Sequence, residues 1–149
     1  ALYRSIYQDV SEDYYTIEIG KASLLKEGND ITIITYGAGV HWALDTLKTH
    51  PNISADLIDL RTLQPLDEAA IFTSVRKTGK VIFLQEDSLF GSMSSDVSAL
   101  ITENCFEFLD APVKRVASIE TPIPFQGELE KQYLPKHRFA SELKTLIDY

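Results

Sequence analysis

Two glycines and an aspartate form the part of this sequence that most resembles a ligand-binding motif. Gly37-Ala38-Gly39 follows a β-branched run and precedes a helical pattern, and Asp59 ends the next apolar run. Glycines so placed bring backbone close to a dinucleotide pyrophosphate, and the acid binds the ribose. The third glycine of that motif permits close helix–strand packing, but Trp42 stands there and its indole would obstruct it. A structural turn is therefore favoured, with a free-standing nucleotide-binding α/β module as the alternative.

Two neighbouring carboxylates, Glu86 and Asp87, follow an apolar run at a place where a catalytic acid or base could lie. Gln85 and Ser88 beside them are poor partners for proton transfer. We therefore interpret the two acids as structural or interface hydrogen-bonding groups.

The remaining histidines and serines do not complete a metal or nucleophile site. The histidines lack metal-ligand spacing, and no serine lies in a Gly-x-Ser-x-Gly pattern. Capping of the next helix by Ser92 or Ser94 is the simpler interpretation of the serine cluster. The residues concerned are His41, His50, His137, Ser92, Ser94, Ser95 and Ser98.

Composition narrows the class of protein. A chain of 149 residues with 44% hydrophobic and 24% charged residues is typical of one soluble domain. The net charge of -8 argues against non-specific nucleic-acid binding and favours a basic partner. No apolar run approaches the ~20 residues of a membrane span. Cys105 is the only cysteine, so no intrachain disulfide can form, and a reducing compartment such as the cytoplasm is expected.

The stretch Ile58–Asp67 organises the chain. It contains a strand end, then Pro65, which cannot donate to a sheet, and then Asp67 as a predicted helix N-cap. Strands alternate with helices along the rest of the chain, which predicts right-handed crossovers and a mostly parallel sheet. Gly28-Asn29 is expected to turn a short first strand into the next one as an antiparallel edge hairpin.

We predict one domain over residues 1–149, with residues 1–20 as an extended lead-in packed on something else. This lead-in is rich in tyrosine (Tyr3, Tyr7, Tyr14, Tyr15). The chain begins at Ala1 rather than Met, which suggests a domain taken from a longer polypeptide.

A series of short motifs, each weak alone, occurs in the order of one known family. The series is Ile19-Gly20-Lys21-Ala22, Lys26-Glu27-Gly28, Asp30-Ile31-Thr32, Tyr36-Gly37, Ile58–Asp67, Ser74-Val75-x-Lys77-Thr78-Gly79, Glu86, Leu109-Asp110-Ala111-Pro112-Val113, Arg115-Val116, Thr121-Pro122-x-Pro124 and Tyr133-Leu134-Pro135. The chain thereby resembles the C-terminal third of the beta subunit of thiamine-diphosphate-dependent 2-oxo acid dehydrogenases. The resemblance to the branched-chain (2-oxoisovalerate) type rests on Asn104-Cys105-Phe106, Glu120-Thr121-Pro122 and the ending Leu143-Lys144-x-Leu146-Ile147-x-Tyr149. Gln85, where many relatives have histidine, and Ser92-Met93, where Gly-Phe is typical, are departures from the family pattern.

The resemblance implies a transketolase C-terminal fold: a three-layer α/β/α sandwich with a mostly parallel five-stranded sheet and one antiparallel edge strand. It implies a parent oxidoreductase that decarboxylates a 2-oxo acid and acylates a lipoyl group, in the cytoplasm or, in a eukaryote, the mitochondrial matrix. Thiamine diphosphate and magnesium would bind outside this domain, which would contribute no catalytic, cofactor-binding or metal-binding residue. The corresponding domain of a transketolase or a deoxyxylulose-phosphate synthase is the alternative that shares the fold.

The resemblance also implies partners. The domain would assemble with other domains or subunits of the parent enzyme, as a homodimer or heterotetramer, and would bind neither nucleic acid nor membrane. It would dock the small basic peripheral subunit-binding domain of the acyltransferase component. The positions that match the family's docking carboxylates are Asp110, in the Leu-Asp-Ala-Pro motif, and the C-terminal carboxylate of Tyr149.

Overall fold

Alternation of β-branched runs and helical apolar patterns produces one five-stranded sheet in the computed structural model, which describes residues 2, 6, 7 and 9–149. The strands are β1 (Ser23–Lys26), β2 (Ile31–Thr35), β3 (Ala55–Asp59), β4 (Val81–Ser88) and β5 (Lys114–Ser118). Their order is β1-β3-β2-β4-β5. Strand β1 runs antiparallel to β3, and all other pairs are parallel. The predicted mostly parallel sheet with one antiparallel edge strand is confirmed.

Helices cover both faces of this sheet. They are α1 (Ala38–Thr49), α2 (Glu68–Thr78), α3 (Met93–Cys105), α4 (Gly127–Tyr133) and α5 (Lys136–Ile147), with a 3-10 helix at Phe106–Phe108. Helices α1 and α5 pack on one face around the fully buried Phe139. Helices α2 and α3 pack on the other face around Phe83. The result is the expected three-layer sandwich. None of the helices among the described residues is long and apolar enough to cross a membrane.

The predicted hairpin between the first two strands is wrong, because β1 pairs with β3 rather than with β2. The connection after β1 is instead tied to the start of β3. The Gly28 amide donates to the Asp56 carboxylate at 2.9 Å, and Asp30 N donates to Ser54 O at 2.7 Å. A Cβ on Gly28 would lie 2.2 Å from Ala55 N, so only glycine permits this approach. These contacts hold the segment between β1 and β2 against the start of β3.

The stretch Ile58–Asp67 holds the edge strand in place. Asp67 caps α2 as predicted, because its Oδ1 accepts a hydrogen bond from Ala70 N at 3.2 Å. Its Oδ2 accepts from Ala22 N at 3.0 Å, and Thr62 Oγ1 accepts from Gly20 N at 2.9 Å. The residues that lead into β1 are thus fixed by the β3–α2 connection.

Capping of α3 differs from the prediction. Ser92 occupies the N-cap position, but its hydroxyl makes no capping bond and donates to Leu89 O instead. The amide of Gln85 replaces it, with Oε1 accepting from Ser94 N at 3.1 Å. Gln85 is fully buried, and its Nε2 donates to Ser88 O at 2.6 Å.

Three shorter segments complete the fold. Helix α4 follows the motif Thr121-Pro122-x-Pro124. Phe108 lies in the 3-10 helix after α3 and is 40% exposed. In the lead-in, residues 9–19 are exposed and lie outside strands and helices. Ala1 and Tyr3 lie outside the described residues.

Candidate docking site

The two residues that the family resemblance singled out, Asp110 and Tyr149, line one open cavity of about 1220 Å³ along helix α3. We call this cavity the α3 groove. Asp110 contributes from the loop before β5, and Tyr149 from the end of the chain after α5. Asp110 is exposed, and Tyr149 is 73% exposed. Residues 39 positions apart in sequence therefore share one surface.

Asp110 is held rigidly although its carboxylate faces solvent. Its backbone N–H donates to Gly79 O at 2.8 Å, and Ala111 beside it is buried. A Cβ on Gly79 would lie 2.3 Å from Asp110 Oδ2, so the carboxylate packs directly on the glycine backbone. Among the described residues, no side chain forms an ion pair with Asp110. This acceptor is both oriented and available to a cation.

The segment Gly79-Lys80 also contacts the helix end that precedes the other candidate docking residue. Lys80 Nζ donates to Ile147 O at 2.5 Å in the last turn of α5. Tyr149 follows that turn, at a helix C-terminus whose dipole favours a cation and where the Lys80 ammonium is already bound. The connection between α2 and β4 thus contacts both Asp110 and the last turn before Tyr149.

Three further charged residues line the α3 groove, namely Glu103, Arg115 and Glu120. Sequence reasoning did not single them out as site residues. Arg115 is already engaged, since its Nη1 donates to Ser95 Oγ at 2.6 Å. Glu120 Oε1 accepts from Phe90 N at 2.8 Å and anchors the loop before α3. No sequence signal joins these residues, because their separations are too long for any local pattern.

The glycines of the suspected nucleotide motif have structural roles. A Cβ on Gly39 would lie 2.1 Å from Thr35 Oγ1, so this glycine permits α1 to approach the sheet. Gly37 has φ 57°, which favours glycine at the start of α1. Asp59 accepts a hydrogen bond from Arg61 N at 3.1 Å and thereby closes a local turn. Each of the three residues is accounted for without a bound nucleotide.

Glu86 and Asp87 lie at the carboxyl end of β4, beside Tyr36 in a cavity of about 360 Å³. Burial, followed by the nearby charges of Asp87 and Glu86, raises the pKa of the Tyr36 hydroxyl above its usual value. The Asp87 carboxylate accepts from Ser88 N at 2.8 Å, and the Glu86 carbonyl accepts from Ser118. The Asp87 bond agrees with the structural interpretation of that carboxylate, whereas the Glu86 bond involves only the backbone. In the described part of the chain, no group of three or more His, Cys, Asp or Glu residues is arranged to hold a metal.

A buried aspartate on β3 was not predicted. Asp56 is 1% exposed and accepts from Ser74 Oγ and Lys77 Nζ, each at 2.6 Å. Thr32 Oγ1 extends the network at 2.7 Å from Ser74 Oγ. The charge is tolerated because it is paired and hydrogen-bonded. The network joins α2 to the sheet and, through Gly28, fixes the connection that follows β1.

Comparison with known families identifies the fold. The family model described as "Transketolase, C-terminal domain" matches residues 20–138. The chain belongs to this family. A split-gene transketolase, solved as an inactive beta4 tetramer, is similar over 96% of this chain and 46% of that one, with 26% identity and a TM-score of 0.73. This agreement supports the three-layer architecture described above.

Curated relatives of this transketolase C-terminal domain are dehydrogenase and oxidoreductase beta subunits of Bacillus subtilis. The pyruvate dehydrogenase beta subunit is 46% identical over 144 residues, covering 95% of this chain and 44% of the relative. The 2-oxoisovalerate dehydrogenase beta subunit is 45% identical, with coverage of 89% and 41%. The beta subunit of acetoin:2,6-dichlorophenolindophenol oxidoreductase is 45% identical, with coverage of 85% and 38%. The chain therefore spans about two fifths of these relatives, and their similar identities do not separate the branched-chain type from the others.

Proposed function

We propose that this chain is the non-catalytic assembly and docking domain of a thiamine-dependent 2-oxo acid dehydrogenase component. The parent enzyme is an oxidoreductase that acts on the oxo group and passes the acyl group to a lipoyl disulfide. The observation that carries the docking role is the shared position of Asp110 and Tyr149 along the α3 groove.

Charge and geometry support this role. Asp110 is exposed and held by Gly79, and Glu103 and Glu120 line the same groove. A small basic partner, the peripheral subunit-binding domain of the acyltransferase, complements that charge. Such complementarity accelerates association and fixes the register of the two partners.

The proposed cofactors, thiamine diphosphate and magnesium, are assigned to the rest of the parent enzyme. Magnesium is bound by one or two carboxylates together with substrate phosphates. Among the described residues, no group of three or more His, Cys, Asp or Glu is arranged to hold a metal. We therefore place the metal and the cofactor in the rest of the parent enzyme and assign no catalytic step to this domain.

Partners and compartment follow from the same proposal. The domain joins other subunits in a homodimer or heterotetramer, in the cytoplasm or in the mitochondrial matrix of a eukaryote. A mitochondrial 2-oxoisovalerate dehydrogenase beta subunit of Dictyostelium discoideum is 41% identical over 151 aligned residues. The branched-chain substrate type remains part of this proposal.

The test is binding of the cognate subunit-binding domain to the assembled enzyme that contains this chain. We expect Asp110→Ala, and separately deletion of Tyr149, to weaken binding by roughly tenfold or more, because truncation of one partner of a desolvated charge pair costs ~2–5 kcal/mol. Added salt should weaken the unmodified complex. Glu27→Ala, at an exposed carboxylate that does not line the groove, is the control. Unchanged affinity in both variants would contradict the docking role.

The corresponding domain of a transketolase is the second candidate, because the solved relative carries that name. Its identity of 26% is well below the 45–46% of the dehydrogenase and oxidoreductase subunits. The comparison therefore favours the dehydrogenase assignment.

A further inference from the structure

We infer that the α3 groove receives a basic amphipathic helix of its partner, laid along α3 and anchored by Phe90 and Phe106 at the two ends. This inference rests on the proposed function and extends it. It assigns binding energy to apolar anchors as well as to the carboxylates, and it specifies the shape of the docking element.

The floor of the groove is suited to a helix. Ser95, Ser98, Ala99 and Thr102 line it at helical spacing, so small side chains form one stripe along α3. Ser98 Oγ donates to Ser94 O at 2.6 Å, and Thr102 Oγ1 donates to Ser98 O at 2.8 Å. Because these two hydroxyls are already bonded within the helix, the stripe offers close contact rather than polar recognition. Because the distance between two packed helices depends on the side chains at their contact, this stripe of small residues lets a partner helix approach α3 closely.

Two exposed aromatic side chains bound this floor. Phe90 precedes α3 and is 86% exposed, whereas Phe106 follows α3 and is 74% exposed. The 13 residues of α3 make this helix about 20 Å long at ~1.5 Å per residue. A partner helix that runs the length of α3 therefore extends over roughly four turns. The backbone amide of Phe90 is bonded to the Glu120 carboxylate, which fixes the loop that carries the ring.

The negative charge of the groove favours a cationic partner over a second copy of this chain. Glu103, Asp110 and Glu120 line the groove, while Arg115 is bonded to Ser95 and Leu89. A second copy of this chain would place like charges opposite one another, which is unfavourable at an interface. A cationic helix with apolar side chains near both ends complements the carboxylates and the phenylalanines together.

The experiment measures the affinity of the cognate subunit-binding domain for the assembled enzyme by calorimetry at low and high salt. We expect Phe90→Ala and Phe106→Ala each to weaken binding about tenfold, since buried aromatic anchors dominate interfaces. The loss should persist at high salt, whereas the loss from Asp110→Asn should shrink. Phe125→Ala is the matched control, because Phe125 is fully exposed and does not line the groove; its affinity should be unchanged.

The proposed contact with a partner helix is tested by placing a bulky side chain on the floor of the groove. Ala99 is exposed, so Ala99→Trp should leave the melting temperature unchanged while weakening binding at least tenfold. Ser141→Trp, on the exposed side of α5, controls for the added indole.

The outcomes separate this inference from the proposed function. Full affinity in Phe90→Ala and Phe106→Ala, with weakened binding in Asp110→Asn, overturns the aromatic anchors but leaves the docking role intact. Full affinity in Asp110→Asn and after deletion of Tyr149 overturns the docking role itself. If sedimentation shows that the phenylalanine variants dissociate the enzyme without changing partner affinity, a second copy occupies the groove and the inference is wrong.

Discussion

At the scale of single residues, Gly79 determines where the Asp110 carboxylate can lie. Its φ of 68° ends α2 in the left-handed conformation, which suits glycine at a helix C-terminus. Its missing side chain also leaves the space that Asp110 Oδ2 occupies. Structural and docking requirements therefore coincide at one position.

Gly79→Ala should accordingly have two effects. Left-handed backbone should destabilise the fold by about 1–2 kcal/mol, and the new Cβ should displace the carboxylate and weaken docking several-fold. Gly37→Ala is the control, because Gly37 also has positive φ but nothing lies within 4 Å of an added Cβ. Thermal unfolding and partner affinity distinguish the two. Equal affinity for both variants would show that Gly79 does not position Asp110.

At the scale of elements, α3 depends on a cap from β4. The Gln85 amide bonds Ser94 N and Ser88 O while fully buried. It thereby joins the strand, the loop before α3 and the first turn of α3. Because α3 forms the floor of the groove, this buried amide supports the docking surface from within.

Gln85→Ala should destabilise the fold by about 2 kcal/mol, since a lost cap and buried groups without partners both contribute. The matched control is Gln126→Ala. Gln126 caps α4 through Leu129 N at 2.9 Å but is exposed, so water can replace the lost bond and the effect should be smaller. Chemical denaturation measures both. A larger loss in Gln126→Ala would contradict the importance of the buried cap.

The same elements show what sequence can and cannot predict. The β-branched run of β2 and the Asp67 cap of α2 are local signals, and both were predicted correctly. The pairing of β1 with β3 depends on the contact between Gly28 and Asp56, which are remote in sequence. The Gln85 cap was missed for the same reason, because a cap ordinarily adjoins its helix. Asp110 was found only because a family motif contains it.

At the scale of the whole molecule, two places are candidates for a binding site: the carboxyl edge of the sheet and the α3 groove. The carboxyl edge of a parallel sheet is where ligands usually bind, and here it contains Gly37, Asp59 and Asp87. The α3 groove instead lies along a helix on one face and at one side of the sheet. The groove is favoured as the functional surface because it brings Glu103, Asp110 and Glu120 together with two exposed phenylalanines, Phe90 and Phe106.

The last prediction tests this division of roles on the 149-residue chain. Thiamine diphosphate with magnesium, NAD, NADP and ATP should each leave its melting temperature unchanged. The physical reason for the nucleotides is that Trp42 stands at the third glycine position of the nucleotide motif, while Gly39 lets α1 pack on the sheet. A ligand at ~100 times its dissociation constant would add about 2.7 kcal/mol of stability, which corresponds to a rise of several degrees in a domain of this size.

Differential scanning calorimetry at increasing ligand concentration detects such a rise. A dose-dependent increase with a nucleotide would restore the nucleotide-binding module, and one with thiamine diphosphate would place a cofactor contact within this domain. Gly37→Ala then locates the site, because loss of the nucleotide-induced rise in that variant would assign it to the start of α1.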